Sequence, residues 1–167
     1  MASPAASRVA IFILRVLTFI LLLISLIVLT TSATTGEVGI DQTIRIHFND
    51  INAYRYMLAA IVIGFAYSLL QLAFSTCHLI SGNRLISGDG GILVDFYSEK
   101  VISYLLATGA AAGFGVTKDM KDYFEANNWF FGTFYEKVYA SASMLFLAFV
   151  CSAVLSVLYS YQLPKKV

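Results

Sequence analysis

The sequence predicts an all-α fold, a four-helix bundle set in a membrane, and three observations carry that reading. Four apolar runs, at 9–32, 53–79, 96–117 and 138–161, fill most of the 167 residues. Each reaches the length of about 20 helical residues that a hydrocarbon core of about 30 Å requires. The runs neither alternate apolar with polar nor stop at the length of a barrel strand, so helices must satisfy the backbone where water is absent. Hydrophobic residues make up 59% of the chain and charged residues 13%, against roughly half and a quarter in soluble domains. The stretches between runs are too short for a second, soluble domain, so a single domain is expected.

The first run follows a short polar tail. Arg8, Arg15 and the small residues Thr31-Ser32-Ala33 imitate a cleaved signal peptide, but the run is full-length and holds an internal Arg, which favours a retained helix. It stops at the Thr and Gly cluster of residues 30–36. The loop 33–52 includes Gln42–Phe48, where polar and apolar residues alternate, and that period of two predicts a short strand. The second run opens with Tyr54-Arg55-Tyr56, a composition suited to a membrane interface. The Gly- and Ser-rich segment 81–91 within loop 80–95 is a turn before the third run. The linker 118–137 leads to the fourth run, which ends before Pro164.

Four helices place both termini and loop 80–95 on one side. Arg8 and Arg15 precede or open the first run, and no basic residue follows it until Arg45. That asymmetry favours cytoplasmic termini, with loops 33–52 and 118–137 outside.

Arg15 is the residue that most needs a partner. An Arg deep in a bilayer costs about 2.5–3.5 kcal/mol and usually faces the bundle. The matching acid is Glu99, because the first and third helices enter from the same side and place the two at similar depth. Asp95 lies four residues before Glu99 and shares its helix face. A structural ion pair of Arg15 with Glu99, Asp95 nearby, is expected; snorkelling of Arg15 with Glu99 beside Lys100 is the alternative. Close helix packing is expected at the GxxxG formed by Gly109 and Gly113, at Ala60, Gly64 and Ser68, and at Ala148, Ser152, Ser156 and Ser160. These ladders either pack within one bundle or serve a second copy, with Gly109 and Gly113 the first candidates for self-association. The linker aromatics Tyr123, Phe124, Trp129, Phe130, Phe131, Phe134 and Tyr135 read as an interfacial belt or as an outer docking surface.

No pattern points to catalysis, a metal or another cofactor. His47 and His78 fall on opposite faces, and no HExxH, Walker or GxSxG motif occurs. Cys77 and Cys151 are too far apart for a CxxC site and read as small apolar residues, with palmitoylation of Cys77 a weaker alternative. No Asn-x-Ser/Thr acceptor exists. The net charge of +1 gives no reason to expect a nucleic-acid partner.

Three segments carry a family likeness: residues 12–32 with the embedded Arg15; Tyr54-Arg55-Tyr56-Met57-Leu58-Ala59-Ala60 with Tyr67-Ser68-Leu69-Leu70-Gln71; and residues 99–112 from Glu99-Lys100 to Ala112. Asn128-Trp129 ahead of Tyr139-Ala140-Ser141-Ala142-Ser143 extends it. The chain resembles the Casparian strip membrane domain (CASP-like) proteins of plants, four-helix proteins related in layout to MARVEL domains. It departs from them in having Glu99 where Asp is usual. Gly132 and Tyr135 stand in the region where Casparian-strip members carry cysteines. The resemblance implies a non-enzymatic plasma-membrane scaffold. Such a protein associates with itself and with related CASP-like proteins in the lipid bilayer, and recruits extracellular cell-wall enzymes. A small transporter or channel subunit and a MARVEL-type trafficking protein are the alternatives.

Overall fold

A computed structural model describes residues 4–38, 42–47, 51–81, 89–126 and 132–162. Four helices account for most of them: α1 (Pro4–Thr30), α2 (Asn52–Ser81), α3 (Asp89–Ala126) and α4 (Gly132–Gln162). A two-stranded antiparallel hairpin, β1 (Ala33–Val38) and β2 (Gln42–His47), joins α1 to α2. Each helix contains a segment long and apolar enough to cross a membrane: Val9–Thr30, Asn52–Cys77, Leu93–Ala126 and Thr133–Tyr161.

The buried positions follow one rule in all four helices. On α1 they are Ile11, Arg15, Thr18, Leu22, Ser25 and Leu29, and Ser32 just past its end continues the row. The spacing alternates four and three, a heptad seam. The seam of α4 runs Val138, Ser141, Leu145, Ala148, Ser152, Leu155, Tyr159, and that of α3 runs Glu99, Ser103, Leu106, Ala110, Gly113, Thr117. On α2 it is Tyr54, Met57, Ile61, Gly64 and Ser68. A 3.5-residue repeat keeps each seam on its neighbours only if the helices cross at a shallow, left-handed angle. The seams are smaller and more polar than the outer faces, where Val9, Ile13, Leu17, Ile20 and Ile27 of α1 are exposed. Lipid is as apolar as Leu, so burial selects small residues and hydrogen-bonding partners rather than bulk hydrophobicity.

Contacts run antiparallel between successive helices. Leu22 meets Gly64, Ala60 meets Gly109, and Gly113 meets Ala142. Ser25 and Ser141 exchange hydrogen bonds between α1 and α4: Ser25 Oγ donates to Ser141 O at 2.9 Å and Ser141 Oγ to Ser25 O at 2.8 Å. The ends of α1 and α4 that carry the chain termini therefore lie together.

The helices differ from the sequence expectation at their ends. Linker 118–137 is largely helical, because α3 continues to Ala126 and α4 begins at Gly132. Asp89–Asp95, expected in a loop, is the first part of α3. Polarity ends a membrane span but not a helix. Met120 and Phe124 still pack against the core, while Lys121 and Glu125 pair across one turn at 3.7 Å on the solvated side. At about 1.5 Å per residue, the 38 residues of α3 make it roughly 57 Å long.

α1 ends by a local mechanism. The hydroxyls of Thr30, Thr31 and Ser32 donate to the carbonyls of Leu26, Ile27 and Val28 at 2.8, 2.8 and 2.7 Å. Val28 O is among the last carbonyls, which a helix terminus leaves without an intrahelical partner, and Ile27 O accepts from Thr31 N–H as well. The strand expected at 42–48 is β2, and its partner β1 is drawn from the Thr-rich segment that stops α1. Three aromatic assignments are corrected. Tyr54 is not interfacial but fully buried, edge-on to Phe134 with ring centroids 5.9 Å apart. Phe134 and Tyr135 are likewise core residues, and neither belongs to a belt or an outer docking surface. Tyr123 is exposed, and Trp129, Phe130 and Phe131 lie outside the described residues.

Candidate functional site: a buried ionic centre

α1 and α3 run parallel, each antiparallel to α2, and Arg15 on α1 lies level with Glu99 on α3. Both side chains are almost fully buried, and Arg15 Nη2 lies 3.5 Å from Glu99 Oε1. Asp95 does not join the pair: it accepts a hydrogen bond from Gln71 Nε2 of α2 at 3.4 Å, one turn nearer the start of α3.

Two further helices complete the centre. Arg15 Nη2 donates to the hydroxyl of Tyr159 on α4 at 2.6 Å, and the guanidinium carbon stands 5.6 Å from the centre of that ring. Helical side chains tilt toward their own N-terminus. On α4 that tilt carries Tyr159 from the terminus-bearing end back into the bundle, and on α1 it carries Arg15 toward that same end, so the two meet between their levels. Ser152, seven residues earlier on the same α4 seam, donates to Glu99 Oε2 at 3.2 Å. α2 contributes Tyr67, whose hydroxyl accepts from Gln71 Nε2 at 2.9 Å and faces the Glu99 carboxylate. Besides each other, guanidinium and carboxylate therefore have neighbours on α2 and α4, which makes a buried ion pair more tolerable.

The residues expected to pack closely do so inside the bundle. A Cβ on Gly64 would sit 2.7 Å from Leu106 Cδ2, one on Gly109 2.8 Å from Ala60 Cβ, and one on Gly113 2.6 Å from Met57 Sδ. Ala60, Ser68, Ala148, Ser152 and Ser156 are all buried. Gly109 and Gly113 are therefore not the lipid-facing self-association ladder for which they were the first candidates; they let α3 approach α2 and α4. Ser160 is exposed and stands outside that packing. Among the described residues no group of three or more His, Cys, Asp and Glu is placed to hold a metal ion.

The sequence reading missed Tyr159, Tyr67 and Gln71, and it gave Ser152 only a packing role. A signal was present for two of them. Tyr67 and Gln71 stand four apart within an otherwise apolar span, and so share a face.

Four apolar helices around an internal ionic centre define a multi-pass membrane protein of the four-helix class. Residues 4–151 match the Casparian strip membrane protein domain, and the chain belongs to that family. It is 55% identical over 162 residues to the CASP-like protein 4D1 of Ricinus communis, covering 97% of this chain and 95% of that one. It is 49% identical to the CASP-like protein 4D1 of Glycine max (99% and 93% covered). It is 46% identical to the CASP-like protein 4D2 of Arabidopsis thaliana (98% and 95% covered). No solved structure matches the chain significantly.

Proposed function

We propose that this protein is a non-enzymatic scaffold of the plasma membrane, with cytoplasmic termini. It associates with itself and with related CASP-like proteins to organise a membrane subdomain, and recruits cell-wall-modifying enzymes on the outer side. The observation that carries the reading is membership of the Casparian strip membrane protein domain family along most of the chain. The site geometry supports it. The intramembrane charges Arg15 and Glu99 engage each other, Tyr159 and Ser152. The cavity beside them measures about 10 Å³, room for about one water molecule. That geometry favours a cohesive body over a transporter. With Gly64, Gly109 and Gly113 occupied internally, association uses the lipid-facing surface.

The test is photobleaching recovery and single-molecule step counting of a tagged copy in the plasma membrane of plant cells. A scaffold recovers slowly, within bounded domains, and bleaches in several steps. Fast recovery of uniformly distributed single-step particles at native density would sink the proposal.

A further inference from the structure

The guanidinium of Arg15 is only partly used. Its Nη2 serves Glu99 and Tyr159, but Nε and Nη1 are buried and have no hydrogen-bond partner among the described residues. Two donors of a charged group without partners in a low-dielectric interior are expensive, and native structures rarely leave them so. Arg15 lines a cavity of about 10 Å³ whose walls come from all four helices. Its polar lining is Arg15, Thr18, Glu99, Ser68, Tyr67, Gln71 and Ser152.

We propose that this cavity is a built site for one water molecule, which accepts from the guanidinium of Arg15 and donates to the carboxylate of Glu99. Three features select water. The volume matches one water, and the walls offer the two to four polar partners that a buried water needs. An anion in the cavity would meet the Glu99 carboxylate, and a cation would meet the Arg15 guanidinium, so a neutral dipole is the ligand both tolerate. Finally, water is both donor and acceptor, and the centre presents donors on one residue and an acceptor on the other. The 3.5 Å separation of Arg15 Nη2 and Glu99 Oε1 leaves the carboxylate room to accept a further bond. The water also links the α1–α3 pair to the α2 wall, where Ser68 lines the same cavity.

The experiment uses full-length, deuterated, ¹⁵N-labelled protein in nanodiscs, with the Arg15 Nε–Hε resonance assigned by its loss in Arg15→Lys. Magnetisation transfer from water to that proton is then recorded. The expected result is a cross-peak to water in the parent protein. Ser68→Ala keeps it, because the cavity remains and no hydroxyl is needed as a relay. Ser68→Val loses it, because the added methyl fills the space. An Hε resonance with no water cross-peak in the parent overturns the proposal, and so does loss of the cross-peak in Ser68→Ala. A full-strength cross-peak in folded Ser68→Val overturns it as well. Should Ser68→Val not fold, the parent and Ser68→Ala spectra decide the matter alone.

Discussion

Gly109→Ala should be more damaging than Gly113→Ala, although both add one methyl to a crowded helix contact. The new Cβ would lie 2.8 Å from the Cβ of Ala60 and 3.4 Å from Leu145 Cδ2. Carbon atoms rest at about 3.5–4.0 Å, so α3 must retreat from α2 by close to 1 Å. Ala60 cannot help, since its Cβ is fixed to the α2 backbone. Gly113→Ala is the control. Its Cβ would meet Met57 Sδ at 2.6 Å, but a methionine has three side-chain rotations with which to move aside. Overpacking a tight core costs about 1–3 kcal/mol, and replacing a helix-interior Gly by Ala returns up to about 1 kcal/mol. Gly109→Ala should therefore lose about 2 kcal/mol, and Gly113→Ala about 1 kcal/mol or less. Reversible unfolding in mixed micelles, by titration with a denaturing detergent, reads both. The reasoning fails if Gly109→Ala is as stable as the parent, or if Gly113→Ala is the more damaged of the two.

Other changes probe the helix 1–helix 4 seam and the lipid-facing side. Tyr159→Phe keeps the ring but removes the acceptor that Arg15 Nη2 reaches at 2.6 Å, and should lose about 1.5 kcal/mol in the same titration. A neutral outcome would mean that the hydroxyl is dispensable to the centre. Ser25→Ala with Ser141→Ala deletes the reciprocal pair and should lose only about 0.6 kcal/mol per bond, the usual worth of a hydrogen bond between membrane helices. A loss several times larger would show that membrane averages do not apply here. Gly115→Ala, whose Cβ meets nothing within 4 Å, should be neutral or slightly stabilising; marked destabilisation would mean that α3 is packed on that side.

The four spans and the depth match of Arg15 with Glu99 were legible because a charge in an apolar run is a rare, strong signal. Helix ends were less legible. Residues 118–126 are polar enough to read as a loop, yet Met120 and Phe124 carry the buried face of α3 past the end of its apolar part. Aromatic residues near a membrane surface read as interfacial, which hid Tyr54, Phe134 and Tyr135 in the core. The heptad seams were present throughout but masked. Their positions on α1 mix Leu22 and Leu29 with Arg15, Thr18 and Ser25, whereas the most apolar residues face outward. A search for hydrophobic periodicity therefore finds the wrong side of a membrane helix. In this chain the inward face is marked by small and hydroxylated residues at spacings of three and four.

The central claim is that Arg15 and Glu99 act as one structural unit that holds α1 to α3. A double-mutant cycle of Arg15→Leu and Glu99→Leu, read by unfolding in mixed micelles, tests it most directly. Each single change strands a buried charge and should lose about 3–5 kcal/mol, while the double change replaces the pair by apolar side chains and should recover most of that loss. A double mutant whose loss equals the sum of the two singles would contradict the claim.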